Sequence, residues 1–112
     1  MKTSALLFFL IYVSSLYSPE LRPIAWKKLK TPEEVRTALD ARIATKATME
    51  DVTKRLSREK PAYLHSYGDS AIAFTSQEYH AAFLISRKWL IRFHFAGGML
   101  TYYTVTEGLS GP

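Results

Sequence analysis

The sequence predicts an α+β fold, with two short N-terminal helices packed on one face of a three- to four-stranded antiparallel sheet and a hydrophobic N-terminal helix ahead of them. Three observations predict it. Thr-x-x-acid patterns open amphipathic stretches at Thr31 and Thr48, apolar spacing switches from helical to alternating after Pro61, and residues 5–17 are mostly apolar with no charge, glycine or proline. The chain divides accordingly into a signal peptide or signal anchor (1–18), a basic linker (19–30), an α+β domain (31–106) and a flexible tail (107–112).

The first segment has one basic residue, Lys2, then Ala5 to Val13, then small residues near Ser15 and Ser18, which is the layout of a secretory signal. As a helix, residues 5–17 reach about 20 Å, short of the roughly 30 Å hydrocarbon core of a bilayer. A cleaved signal, a short retained anchor and a core helix of a soluble protein are the three readings. The basic residues that follow favour a cytoplasmic domain if the segment is retained.

Pro19 and Pro23 interrupt any helix through the linker. Its cluster Arg22, Lys27, Lys28 and Lys30 contains no acid and suits anionic headgroups or a solvated strap. Trp26 either rests at a membrane interface or packs on the domain.

Thr31-Pro32-Glu33-Glu34 is a capped start: the threonine accepts from first-turn amides, the proline suits the first helical position, and the acids oppose the helix dipole. Val35, Ala38, Leu39 and Ile43 then share a face. Thr48-Met49-Glu50-Asp51 repeats the pattern, with Val52 and Leu56 as the apolar stripe and Arg58-Glu59-Lys60-Pro61 as the stop. A helix this short needs the sheet to persist.

Candidate strands are Tyr63–Tyr67 and Ser70–Thr75 around Gly68-Asp69, then His80–Ser86, Lys88–Phe95 and, past Gly97-Gly98, Met99–Thr106. Alternation puts Trp89, Ile91, Phe93 and Phe95 inward and Leu90, Arg92 and His94 outward. In the last strand it sets Leu100, Tyr102 and Thr104 against Thr101, Tyr103 and Val105.

The net charge of +5 is carried by Lys2 and residues 19–60, while residues 61–112 balance. The absence of cysteine excludes disulfides, thiolate metal sites, cysteine nucleophiles and a lipid-bearing N-terminal cysteine. His65, His80 and His94 lie in separate strands at no metal-ligand spacing. Gly97-Gly98 is a hairpin turn and not a phosphate loop, and Ser66, Ser70 and Ser76 lack a nucleophile-elbow context. No catalytic residue, metal or cofactor is expected. Nucleic acid is not expected as a partner either, because the basic residues concentrate in the linker and helices and the aromatics in the sheet, whereas a stacking platform needs them interleaved.

Lys46-Ala47-Thr48-Met49-Glu50-Asp51-Val52, then Leu56 to Pro61, then the hairpin Leu90 to Leu100 resemble the BamE (SmpA/OmlA) family of outer-membrane assembly lipoproteins. They resemble equally the wider two-helix, three-strand group that includes secreted β-lactamase inhibitors. Lys46 stands where the family has glycine, the glycine closing the second helix is missing, and two extra residues precede Pro61.

The expected function is a non-enzymatic envelope or membrane-associated module that docks a protein partner through the exposed aromatic and basic face of its sheet. Arg92, His94, Tyr102 and Tyr103 are the expected docking residues, with Arg22, Lys27, Lys28 and Lys30 near lipid. The rival readings are a secreted inhibitor-like or soluble cytoplasmic interaction protein and a histidine-dependent metal enzyme.

Overall fold

The computed structural model describes residues 22–111. The expected signal or anchor, 1–18, and the start of the linker lie outside the described residues. Among those described, no helix is long and apolar enough to cross a membrane.

Among the described residues, two α-helices and five antiparallel strands make up the domain. Helix α1 (Pro32–Asp40) begins as expected, with Thr31 Oγ1 accepting from the Glu34 amide at 3.2 Å. Helix α2 (Met49–Ser57) is capped in the same way by Thr48, whose hydroxyl accepts from the Asp51 amide at 3.1 Å. Each cap satisfies an amide that the helix itself leaves unbonded. Val35 and Leu39 of α1 and Val52 and Leu56 of α2 are buried, and Ala38 and Ile43 pack at the margin.

The strands are β1 (Tyr63–Tyr67), β2 (Ala71–Thr75), β3 (Tyr79–Ala82), β4 (Ile85–Ala96) and β5 (Met99–Ser110). β4 is the hub. β2 and β3 pair in succession along one of its edges, β5 pairs along the other, and β1 lies outside β2. Trp89, Ile91, Phe93 and Phe95 face the helices with Ile72 and Phe74 and form the core, as alternation predicts.

The structure departs from the predicted sheet in four places. The sheet has five strands where three to four were expected, because all five candidate segments join it, with Ser76-Gln77-Glu78 as the gap between β2 and β3. Ser76 holds the break: its amide donates to the Trp89 carbonyl (2.9 Å) and its buried hydroxyl accepts from the Trp89 amide (2.8 Å).

The expected strand His80–Ser86 is broken at Phe83-Leu84, where Leu84 takes φ 60 and the chain turns from β3 into β4. No glycine, proline or asparagine announces that turn. The expected tail from Glu107 is instead the end of β5, paired as far as Ser110 with the start of β4 and tied by Arg87 Nε to Glu107 Oε2 at 2.7 Å.

Fourth, the linker belongs to the domain. Ile24 and Trp26 are core residues, a 3-10 helix spans Trp26–Lys28, and Trp26 stacks on Phe74 with ring centroids 5.2 Å apart. Glu59, expected as part of a helix stop, is buried and accepts from the Ile24 amide (2.7 Å) and from Trp26 Nε1 (3.3 Å), and it pairs with Arg55 Nη2 (3.2 Å). The Trp26 indole is therefore placed inside the protein and not at a lipid interface.

Candidate docking surface

The helices cover one face of the sheet and leave the other open. Register places Tyr63, His65 and Tyr67 of β1 opposite Thr75, Ala73 and Ala71 of β2, which lie opposite Leu90, Arg92 and His94 of β4. On the far side His94 pairs with Tyr102, Arg92 with Thr104 and Leu90 with Thr106. Ile72, Phe74 and Phe93 are buried on the opposite side, so all of these alternate residues share the open face.

Small residues at the centre let the larger ones meet. Ala71 and Ala73 separate the β1 aromatics from β4, and the Arg92 guanidinium crosses them to lie 5.2 Å from the centre of the Tyr67 ring. His65 meets Tyr67 edge-on at 4.6 Å, and the Tyr63 and Tyr67 hydroxyls are 3.3 Å apart, a bond that raises the Tyr63 hydroxyl above its ordinary range. His94 stacks on Tyr102 at 4.4 Å with planes 10° apart. Between these pairs lies a shallow concavity of about 360 Å³ lined in part by Tyr63, Leu90, Arg92, Thr104 and Thr106. With Lys88 also on this side, none of the described strand residues facing it is acidic, and Asp69 sits beyond it in the β1–β2 turn.

Three of the four expected docking residues, Arg92, His94 and Tyr102, are thus brought together. Tyr103 is not. It points under the helices, its ring 5.4 Å from Phe93 and 5.1 Å from the Arg36 guanidinium. Its hydroxyl donates to Asp40 Oδ1 at 2.5 Å and lies 3.2 Å from the Arg36 carbonyl oxygen. Burial, reinforced by the Asp40 bond, pushes that hydroxyl well above the usual tyrosine range. Tyr103 fastens α1 to β5 and has no role on the open face.

The last strand is also phased differently from simple alternation. Leu100 pairs with Phe95 and Tyr102 with His94, which leaves Thr101 as an extra residue whose hydroxyl donates to the His94 carbonyl at 2.9 Å. The bulge puts Leu100 on the core side with Tyr103 and Val105, and Tyr102 on the open side with Thr104.

Arg22, Lys27, Lys28 and Lys30 are exposed, but the segment carrying them is stretched across the molecule. The Arg22 carbonyl accepts from Arg42, just past the end of α1, and from Arg55 in the last turn of α2, while the Leu29 carbonyl accepts from Arg87 at the start of β4.

Sequence reasoning missed Tyr63, His65, Tyr67 and Lys88. Alternation in β1 does put its two tyrosines and histidine on one side. Which side that is depends on pairing with β2, which the three-residue turn Gly68-Asp69-Ser70 sets. Among the described residues no three histidine, cysteine or acidic side chains gather closely enough to hold a metal ion. Comparison of the chain with protein-family models, with curated proteins and with solved structures returns no match.

Proposed function

We propose that this chain is a non-enzymatic, exported or membrane-anchored module that binds a protein partner through the open sheet face, with Arg92, His94 and Tyr102 as anchors. The observation that carries the reading is the make-up of that face: stacked aromatic and cationic pairs around a shallow depression, with no acidic strand residue among them. Arginine and tyrosine are enriched at interface hot spots because they bring large contact area together with a polar handle. The surplus of positive charge selects a partner segment rich in carboxylates.

A BamE-like architecture is part of the proposal. Lys46, at the position of the family's glycine, has φ 63, a left-handed conformation that glycine adopts readily. The export reading rests on the apolar, uncharged residues 5–17.

A photo-crosslinking side chain at Tyr102, in the full chain expressed in its own cells, tests the docking. It is expected to give a discrete protein adduct that Arg92→Ser abolishes while the variant unfolds at an unchanged temperature. An adduct indifferent to Arg92→Ser, or unfolding of that variant, defeats the proposal. N-terminal sequencing of the fractionated protein tests export: a start near Leu16 or Pro19, or an intact chain in membranes, agrees with it, and an intact Met1 in the soluble fraction does not.

A further inference from the structure

The β3–β4 hairpin ends in a tip that the fold leaves bare. Phe83 is 85% exposed, Leu84 59% and Ile85 37%, and Leu109, near the end of β5, is 59% exposed. These side chains belong to one end of the sheet. Leu109 pairs with Arg87, two residues past Ile85, and a Cβ at Gly111 would lie 3.4 Å from the Leu84 carbonyl oxygen and 3.5 Å from Ile85 Cγ1.

The turn is built from the wrong residues for a solvated loop. Leu84 takes φ 60, a conformation that glycine and asparagine adopt with least strain. Two large apolar side chains on a protruding tip are also the opposite of what solubility favours. Packing does not explain Phe83, which the protein leaves almost wholly exposed.

Positive charge lies beside this end. The 3-10 helix carrying Lys27 and Lys28 packs against β3, and the Leu29 carbonyl accepts from Arg87 Nη1 at 3.5 Å. Arg87 is three residues from Leu84, a separation of about 10 Å along a strand. Lys27, Lys28 and Lys30 are exposed there. Of the nearby acids, Glu107 is held by Arg87, Glu33 and Glu34 lie in the first turn of α1, where the helix dipole favours them, and Glu78, exposed just before β3, is one acid against three lysines.

We propose that this tip, Phe83, Leu84 and Ile85 with Leu109, inserts into the interface of an anionic lipid bilayer while Lys27, Lys28 and Lys30 meet its phosphates. A convex apolar wedge flanked by lysines needs no complementary pocket, which is what a bilayer interface offers and a folded protein partner does not. Insertion along the strand direction stands the sheet on end and leaves its open face free, so this contact is independent of the docking proposed above.

The test uses the full chain carrying Phe83→Trp, mixed with vesicles of phosphatidylcholine and phosphatidylglycerol or of phosphatidylcholine alone. Trp26 and Trp89 are buried and supply a constant background. The introduced indole is expected to shift to the blue and to be quenched by brominated acyl chains on the mixed vesicles, and to change little on neutral ones. Because quenching reports the depth of that one indole, the apolar N-terminal segment, identical in every variant, does not decide the outcome.

Each Lys→Gln change at 27, 28 or 30 should weaken the response about fivefold. A Phe83→Trp background with Leu84→Asn, which suits the left-handed turn, should stay folded and insert less deeply. An indole that is neither shifted nor quenched on anionic vesicles overturns the proposal, as does an equal response on neutral ones. A shift that grows with protein concentration without lipid, together with a doubled mass in light scattering, shows that a second copy covers the tip and overturns it too.

Discussion

Replacing Glu59 by alanine should come close to unfolding the domain, and the size of the effect follows from three contacts. The Glu59 side chain is 1% exposed and its partner Arg55 11%, so the pair lies almost wholly out of water. Removing one member of such a pair leaves a buried charge without compensation and costs about 3–5 kcal/mol. The same substitution strips the acceptor from the Ile24 amide and from the Trp26 indole, and an orphaned buried amide alone costs about 1–3 kcal/mol. These losses overlap because they share one carboxylate, so about 4 kcal/mol is the working figure. A domain of about 90 residues has roughly 5–13 kcal/mol to lose.

With a urea dependence near 1 kcal/mol per molar for a domain this small, the unfolding midpoint should fall by about 3–4 M. The fluorescence of Trp26 and Trp89 reports the transition. Glu59→Gln keeps an acceptor for Ile24 but loses the charge facing Arg55, and should give about half the drop. If Glu59→Ala lowers the midpoint by less than about 1 M, Glu59 does not staple the segment 22–30 to the core, and the reasoning fails.

Tyr103→Phe should destabilise the fold by about 1–2 kcal/mol through loss of the bond to Asp40, and should leave partner binding unchanged, because Tyr103 lies on the helix side. Its hydroxyl holds a proton more tightly in the folded chain than in the unfolded one. Above the ordinary tyrosine value of 10.0 the unfolded chain therefore releases a proton that the native chain keeps, and stability falls as pH rises. Thermal melts on either side of that pH should show wild type losing stability faster than Tyr103→Phe; parallel losses would contradict this assignment. Ser76→Ala leaves the Trp89 amide unpaired and should cost about 1–3 kcal/mol, with faster hydrogen exchange at Trp89; unchanged protection would mean that another acceptor replaces the hydroxyl. Lys46→Gly and Lys60→Gly relieve left-handed strain and should each raise stability by up to about 1 kcal/mol, read as a higher melting temperature, and a lower one would contradict those backbone angles.

Local chemistry was legible in the amino acids alone. Both helix starts depend on a threonine reaching an amide three residues on, the Gly97-Gly98 hairpin on two adjacent positive φ angles, and the core strand on the alternation of Trp89, Ile91, Phe93 and Phe95. Each of these signals is written within a few residues and depends little on the rest of the chain.

Which tyrosine of β5 lies on the open face was decided only in three dimensions, because the single extra residue Thr101 shifts the register and a one-residue shift exchanges the two faces of a strand. The same holds for Ser76 closing the gap between β2 and β3, for Glu59 drawing Ile24 and Trp26 into the core across more than thirty residues, and for Phe83 standing clear of the protein. These positions are set by contacts between segments far apart in the chain. Composition and periodicity record what a residue prefers, and the packed fold determines what it meets.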